Sequence, residues 1–237
     1  MMSNPWFQFK KFRVYHDKST MKVGTDAVLL ACLTDYADVN NILDVGCGSG
    51  IVSLMAAQLS NAAILAIDIH KASVIQADEN FALSEWKQRL AAKKISSQQL
   101  ADESLLKFDL IISNPPFFIS SLKSPVSHRN LARHNDSLSH TDLLLAAKKL
   151  LQPTGRLSVI LPTAEGNEFE IKAGEVGFYL KKRVEIKPNP AKIANRMVLE
   201  FVLETAIPTI SELCIRNENN EYSPEYKSLT KDFYLKF

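Results

Sequence analysis

Cysteine is scarce. Cys32, Cys47 and Cys214 are all the chain carries, an odd number for a disulfide framework and a spacing that fits no metal site. They read as small buried or loop residues. The five histidines form no His-x-x-Glu-His type of arrangement, so no metal is expected. No apolar run is long enough to span a bilayer. The opening Met1-Met2-Ser3-Asn4-Pro5-Trp6 lacks the basic-then-apolar order of a secretory signal. The expectation is therefore a cytoplasmic protein with no membrane partner. A net charge of +2 is too small to establish nucleic-acid binding, which depends on local clusters of Lys and Arg. Internal repeats and low-complexity linkers are absent as well, and nothing implies an obligate protein partner.

What is present is an ordinary globular composition, 46% hydrophobic and 23% charged over 237 residues. That is enough for a single α/β domain spanning 1–237, with 1–20 as an N-terminal hairpin or arm and 205–237 as a C-terminal extension. Residues 7–15 mix aromatic and basic side chains with partial alternation, which suggests a short strand pair. Gly24-Thr25-Asp26 precedes a helical apolar run, with Thr25 or Asp26 as the expected cap. From Asn41 onward strands and helices alternate. Strands are expected at 42–45, 63–68, 89–95, 108–113, 156–161, 180–186 and 197–204, and helices at 51–59 and 71–84, with a further helix ending at 143–151. Apolar strands alternating with helices indicate a Rossmann-like, mostly parallel sheet covered on both faces. After Glu204 the pattern weakens: 217–220 reads as a turn and 224–237 as a short terminal helix.

Asp44-Val45-Gly46-Cys47-Gly48-Ser49-Gly50 lies between a strand and a helix. Gly46, Gly48 and Gly50 allow a tight turn and close approach of a ligand, and the helix beyond offers free amide donors. Asp68, at the end of the next strand, can accept hydrogen bonds from both ribose hydroxyls of a nucleoside cofactor. The spacing is Gly-x-Gly-x-Gly, not the Gly-x-Gly-x-x-Gly of dinucleotide sites. S-adenosylmethionine has no pyrophosphate, and Asp44 beside the loop would attract its ammonium group. Lys22, just before the first helix, can face the cofactor carboxylate.

Asn114-Pro115-Pro116-Phe117 closes the strand at 108–113. An exocyclic adenine nitrogen is a poor nucleophile because its lone pair is delocalised into the ring. The Asn114 side-chain oxygen and the Pro115 carbonyl can accept both of its N–H bonds and favour a pyramidal nitrogen. Pro115 and Pro116 stiffen the turn, and Phe117 can stack on the base, worth about 1–3 kcal/mol. These four residues are the candidate catalytic set.

The chain resembles class I adenosylmethionine-dependent methyltransferases of the Asn-Pro-Pro-Phe/Tyr group. Met21-Lys22-Val23-Gly24-Thr25-Asp26-Ala27-Val28-Leu29-Leu30, Asp109 through Phe118, Arg129 through His134 and Arg196 through Phe201 are similar to segments of the bacterial tRNA(Val) adenine-N6 methyltransferases. The resemblance implies methylation of the adenine at tRNA position 37. It also implies a seven-stranded sheet whose last strand is antiparallel. One departure stands out: Ser96-Ser97-Gln98 occupies the region where that family usually places an acidic residue near the cofactor adenine, and the adenine contact stays unassigned.

An anticodon-loop adenine is unpaired, so flipping it costs only unstacking. Lys10, Lys11 and Arg13, then Arg129 and Arg133, then Lys187, Lys192 and Arg196 are candidate phosphate contacts. His128 and His134 read as loop surface. Two other readings stay open. A glutamine-amide protein methyltransferase would use the same clamp, but no separate N-terminal helical recognition domain accompanies it. A catalytically inactive, methyltransferase-like RNA-binding module is the non-enzymatic reading. DNA adenine methylation is disfavoured by the lack of a large target-recognition domain.

Overall fold

A computed structural model of the chain describes residues 4–19, 22–115 and 138–236. A two-stranded antiparallel hairpin opens it, β1 (Trp6–Gln8) and β2 (Arg13–Tyr15), followed by α1 (Thr25–Leu33). Then come β3 (Asn41–Val45), α2 (Ile51–Leu59), β4 (Ala63–Asp68), α3 (Lys71–Ala82), β5 (Leu90–Lys94), α4 (Ser97–Glu103) and β6 (Phe108–Ser113). The chain continues through α5 (His140–Leu150), β7 (Leu151–Pro162), α6 (Thr163–Val176), β8 (Tyr179–Lys187), β9 (Arg196–Val202), β10 (Thr209–Cys214) and α7 (Pro224–Thr230).

The main sheet has the order β10-β8-β9-β7-β6-β3-β4-β5. The seven expected strands are all present, and the seventh, β9, runs antiparallel to both β7 and β8. An eighth was not foreseen: β10, from the C-terminal extension, pairs in parallel with β8. Only Leu213 of its six residues is buried, so its sequence carries neither an apolar run nor a clear alternation. β7 also starts earlier than Arg156, at Leu151, with a register irregularity opposite Phe108 and Leu110.

Alternate side chains of a strand point to opposite faces, and here both faces are apolar. In β6, Leu110 and Ile112 join one core and Ile111 the other, which Phe108 also joins across the irregularity between it and Leu110. The first core packs against α1, α2 and α3 through residues such as Leu29, Leu54, Met55 and Phe81. The second packs against α4, α5 and α6 through Leu100, Leu144 and Phe169. This two-sided burial is why the central strands read as continuous hydrophobic runs.

The hairpin is part of the first core. Phe9 is fully buried, stacks on Phe12 at 4.8 Å and meets Phe233 edge-on at 6.4 Å. Lys10 N donates to Phe233 O at 2.8 Å. The C-terminal helix is held by its cap: Ser223 Oγ accepts from Tyr226 N at 3.0 Å and donates to Cys214 O at 2.6 Å.

Candidate active site

Parallel pairing brings the loops after β3, β4 and β6 to one sheet edge. Val45 is in register with both Ile67 and Ser113. Asn114 therefore leaves its strand beside Gly46, with paired strands roughly 5 Å apart. Ser113 Oγ donates to Val45 O at 2.9 Å and ties the two strand ends together. The sequence marks Ser113 only as the last strand residue; its signal is a hydroxyl closing the apolar stretch Leu110-Ile111-Ile112.

The glycine loop is internally braced. Gly46 N and Cys47 N both donate to Ile67 O, at 2.9 and 3.0 Å, and Gly50 N donates to Cys47 O at 2.8 Å. Gly46, Gly48 and Gly50 have φ of +76°, +54° and +78°, a region L side chains rarely adopt. Two of these glycines are required for different reasons. A Cβ on Gly50 would stand 2.6 Å from Phe81 Cε1, so this glycine lets α2 pack against α3. A Cβ on Gly46 would meet nothing within 4 Å among the described residues; of these, none fills the space it would enter at the strand end.

Both carboxylates of the predicted cofactor site are buried. Asp68 Oδ2 accepts from Gly48 N at 3.0 Å and Oδ1 accepts from His70 N at 2.8 Å. Each carboxylate oxygen keeps a further lone pair for a ligand hydroxyl. Asp44 Oδ2 accepts from Ser53 Oγ at 2.6 Å. Burial pushes the Asp44 carboxyl up to about 6, offset in part by the Ser53 hydrogen bonds. Ser53, in the first turn of α2, is a second residue the sequence did not single out. Cys47 is buried in the loop, and burial together with Asp44 and Asp68 raises its thiol well above the ordinary range. Cys32 is pushed up to about 12, mainly by burial. Both thiols stay protonated and structural.

Across from this loop, Asn114 Oδ1 is buried and has no hydrogen-bond partner among the described residues. Pro115 is buried next to it. An orphaned buried acceptor costs free energy, on the order of 1–3 kcal/mol. Pro116 and Phe117 lie outside the described residues, as do Arg129, Arg133, His128 and His134.

Lys22 is exposed just ahead of α1. The expected cap of α1 is corrected: the N-cap is Gly24, with no side-chain cap bond. Asp26 is engaged elsewhere, accepting from Arg196 Nε at 2.9 Å. Arg196 pairs in register with Pro162 at the C-terminal end of β7, so this ion pair sits at the same sheet edge as the site. Lys192 is exposed in the preceding loop, whereas Lys187 contacts Glu212 Oε2 at 2.6 Å. On the hairpin, Lys10, Lys11 and Arg13 are exposed. Lys10 Nζ donates to Lys231 O at 2.5 Å, and Arg13 lies over the Trp6 ring at 4.2 Å. The described basic candidates thus fall on two separate elements, the hairpin and the β8–β9 edge. His140 opens α5, buried against Phe169, and burial lowers its pKa. At the segment 96–98, Ser96 Oγ accepts from Gln99 N at 3.1 Å and caps α4.

Comparisons with known proteins bear on the family and the fold. The profile of the methyltransferase small domain matches residues 14–174. A tRNA1(Val) (adenine(37)-N6)-methyltransferase of Parabacteroides distasonis is 42% identical over 99% of this chain and 100% of its own length. The protein of that name from Trichodesmium erythraeum is 39% identical, with full coverage of both chains. Among solved structures, a predicted O-methyltransferase from Agrobacterium tumefaciens superposes with a TM-score of 0.69 at 19% identity, covering 87% of this chain and 96% of its own. The glycopeptide N-methyltransferase MtfA, complexed with S-adenosyl-L-methionine, reaches 0.57 at 11% identity, covering 78% and 96%. At those identities the superpositions speak for the fold.

Proposed function

The chain belongs to the methyltransferase small-domain family and, within it, to the tRNA1(Val) (adenine(37)-N6)-methyltransferases, and from that membership we infer that it methylates the N6 amino group of adenine 37 in tRNA(Val). The observation that carries the assignment to this site is the unpartnered Asn114 Oδ1, buried at a strand end beside the glycine loop. A buried acceptor is stable only when something donates to it, and an exocyclic amine brings two donors.

The residues present fit S-adenosylmethionine. Asp68 offers its remaining lone pairs to the ribose hydroxyls, and Asp44, once ionised, attracts the ammonium group. The open space beside Gly46 accommodates the ligand where a Cβ would intrude. When bound, adenosylmethionine supplies a methyl group on a sulfonium sulfur. Asn114 Oδ1 and the Pro115 carbonyl accept the two N6 hydrogens, which concentrates the nitrogen lone pair and aims it across the strand ends. Because Ser113 is bonded to Val45, the acceptor clamp and the cofactor loop hold a fixed separation. Positioning of this kind accounts for much of the barrier reduction in a two-substrate transfer. Lys10, Lys11, Arg13, Lys192 and Arg196 hold phosphates of the tRNA, joined in this reading by Arg129 and Arg133. This reading takes the hairpin and the C-terminal extension as parts of one methyltransferase domain, supported by Phe9, Phe12 and Phe233 packing into one core.

The test is incubation with bulk unmodified tRNA and methyl-labelled adenosylmethionine, followed by nucleoside mass spectrometry. N6-methyladenosine at position 37 of tRNA(Val) is the expected product. Label in protein glutamine, with none in tRNA, would replace this reading with amide methylation.

A further inference from the structure

One face of α3 grips the segment that leads from the hairpin to the glycine loop. Gln76, Glu79 and Asn80, at i, i+3 and i+4, line up on that face. Gln76 Oε1 accepts from Lys18 N at 2.9 Å, and Lys18 Nζ reaches Glu79 Oε1 and Oε2 at 2.5 and 2.7 Å. Asn80 is 1% exposed and does more than its neighbours. Its Oδ1 accepts from Tyr15 N at 2.9 Å, and one Nδ2 hydrogen goes to Tyr15 O at 2.8 Å. The other Nδ2 hydrogen goes to Ser49 O at 2.8 Å, inside the glycine loop. A single buried amide therefore holds the arm with two bonds and the cofactor loop with the third. The segment beyond Tyr15 runs on to Ser19, whose Oγ lies 3.4 Å from the position of a Cβ on Gly48. Asn80 also forms part of the wall of a groove of about 330 Å³ shared with Gln8, Lys11, Arg13 and Tyr15.

We propose that Asn80 is a positioning residue that couples the two ligands: RNA seated against the basic hairpin and cofactor in the glycine loop each strengthen the other's binding through its three hydrogen bonds. This rests on the tRNA-methyltransferase reading. Both ligands favour the same arrangement of Tyr15 and Ser49, and the bonds between them are buried, where breaking one is costly. Coupling of this kind is reciprocal by thermodynamic necessity. Gln76 serves as the internal contrast, since it holds the same segment and leaves the glycine loop alone.

The experiment measures the affinity of the intact protein for S-adenosylhomocysteine, which cannot transfer a methyl group, with and without unmodified tRNA(Val). In the wild type, tRNA should tighten the nucleoside by roughly 5-fold or more, the lower end of typical allosteric coupling. Asn80→Asp keeps the acceptor for Tyr15 N and removes both donors. It should bind each ligand alone and reduce the coupling to less than about 2-fold, while Gln76→Ala retains it. A second readout needs no variant: S-adenosylhomocysteine should slow hydrogen exchange at the Tyr15 amide of the wild type. Unchanged exchange, absent coupling in the wild type, or coupling that survives Asn80→Asp would each overturn the proposal. Methyl transfer to tRNA by the same wild-type preparation separates these failures from failure of the functional reading.

Discussion

The two halves of the proposed reaction site are built on opposite terms. On the cofactor side, polar groups are satisfied before any ligand arrives. Asp68 accepts from two backbone amides, Asp44 from Ser53, and the loop amides close on Ile67 and Cys47. On the acceptor side, Asn114 Oδ1 is buried with nothing to accept from among the described residues. The contrast teaches where binding energy goes. In the proposed reading the donor half is a finished cradle whose shape is part of the fold, and the acceptor half keeps a desolvated dipole in reserve for the reacting nitrogen. Such preorganisation acts most strongly where it is excluded from water.

Substitution at Asn114 breaks the contrast most sharply. Asn114→Ala should lower single-turnover methyl transfer by about 10²–10³-fold, the loss typical of one preorganised polar contact. Titration calorimetry should find adenosylmethionine affinity nearly unchanged. Because the lost oxygen was unsatisfied, the melting temperature should hold or rise; a large drop would mean that Asn114 supports the fold instead.

The reverse signature belongs to Gly50. Gly50→Ala should destabilise the protein by about 2–4 kcal/mol in denaturant unfolding, combining the steric cost of positive φ with overpacking against Phe81. Gly46→Ala carries the backbone cost without the collision, so it should be more stable than Gly50→Ala. Equal losses in the two variants would remove the distinction between a packing glycine and a ligand-facing one.

Asp68→Ala should weaken adenosylmethionine binding by about 10-fold or more, as expected for lost hydrogen bonds to a charged acceptor. Unaltered affinity would count against the ribose role. Asp44 gives the smallest effect, and it is one of pH. Its carboxyl rises from 3.8 in the unfolded chain to about 6 in the folded one. The folded chain holds this proton more tightly, so the Asp44 contribution to stability is fully present below about pH 4 and is lost as pH rises toward 6. Binding of the ammonium group needs the ionised form, so affinity for adenosylmethionine should climb as pH rises through about 6. Asp44→Asn should flatten that climb; a persistent slope would assign it to another group.

The finished half was the more legible one in the sequence. Glycines at fixed spacing, a carboxylate at each of two strand ends and a following helix are local signals, and the order of strands follows from their alternation. The acceptor motif was equally visible as residues, but its unpartnered oxygen is a property of packing and could only be seen in three dimensions. Asn80 was hidden for a related reason. A polar residue on a helix with the period of a surface face reads as solvated, and its partners, Tyr15 and Ser49, lie far away in sequence. The Arg196–Asp26 pair spans a still longer separation, 170 positions, which is why the sequence shows Arg196 only as a candidate phosphate contact. β10 escaped because an edge strand with one buried residue needs no hydrophobic pattern.

The ring of Phe9 is enclosed by Phe12, Phe233 and Tyr234, residues far apart along the polypeptide. During synthesis that ring stays partly uncovered until Phe233 and Tyr234 have left the ribosome. The hairpin is thus among the later elements to settle, and a growing chain that halts before them leaves a sticky, unfinished patch for chaperones or proteases to find.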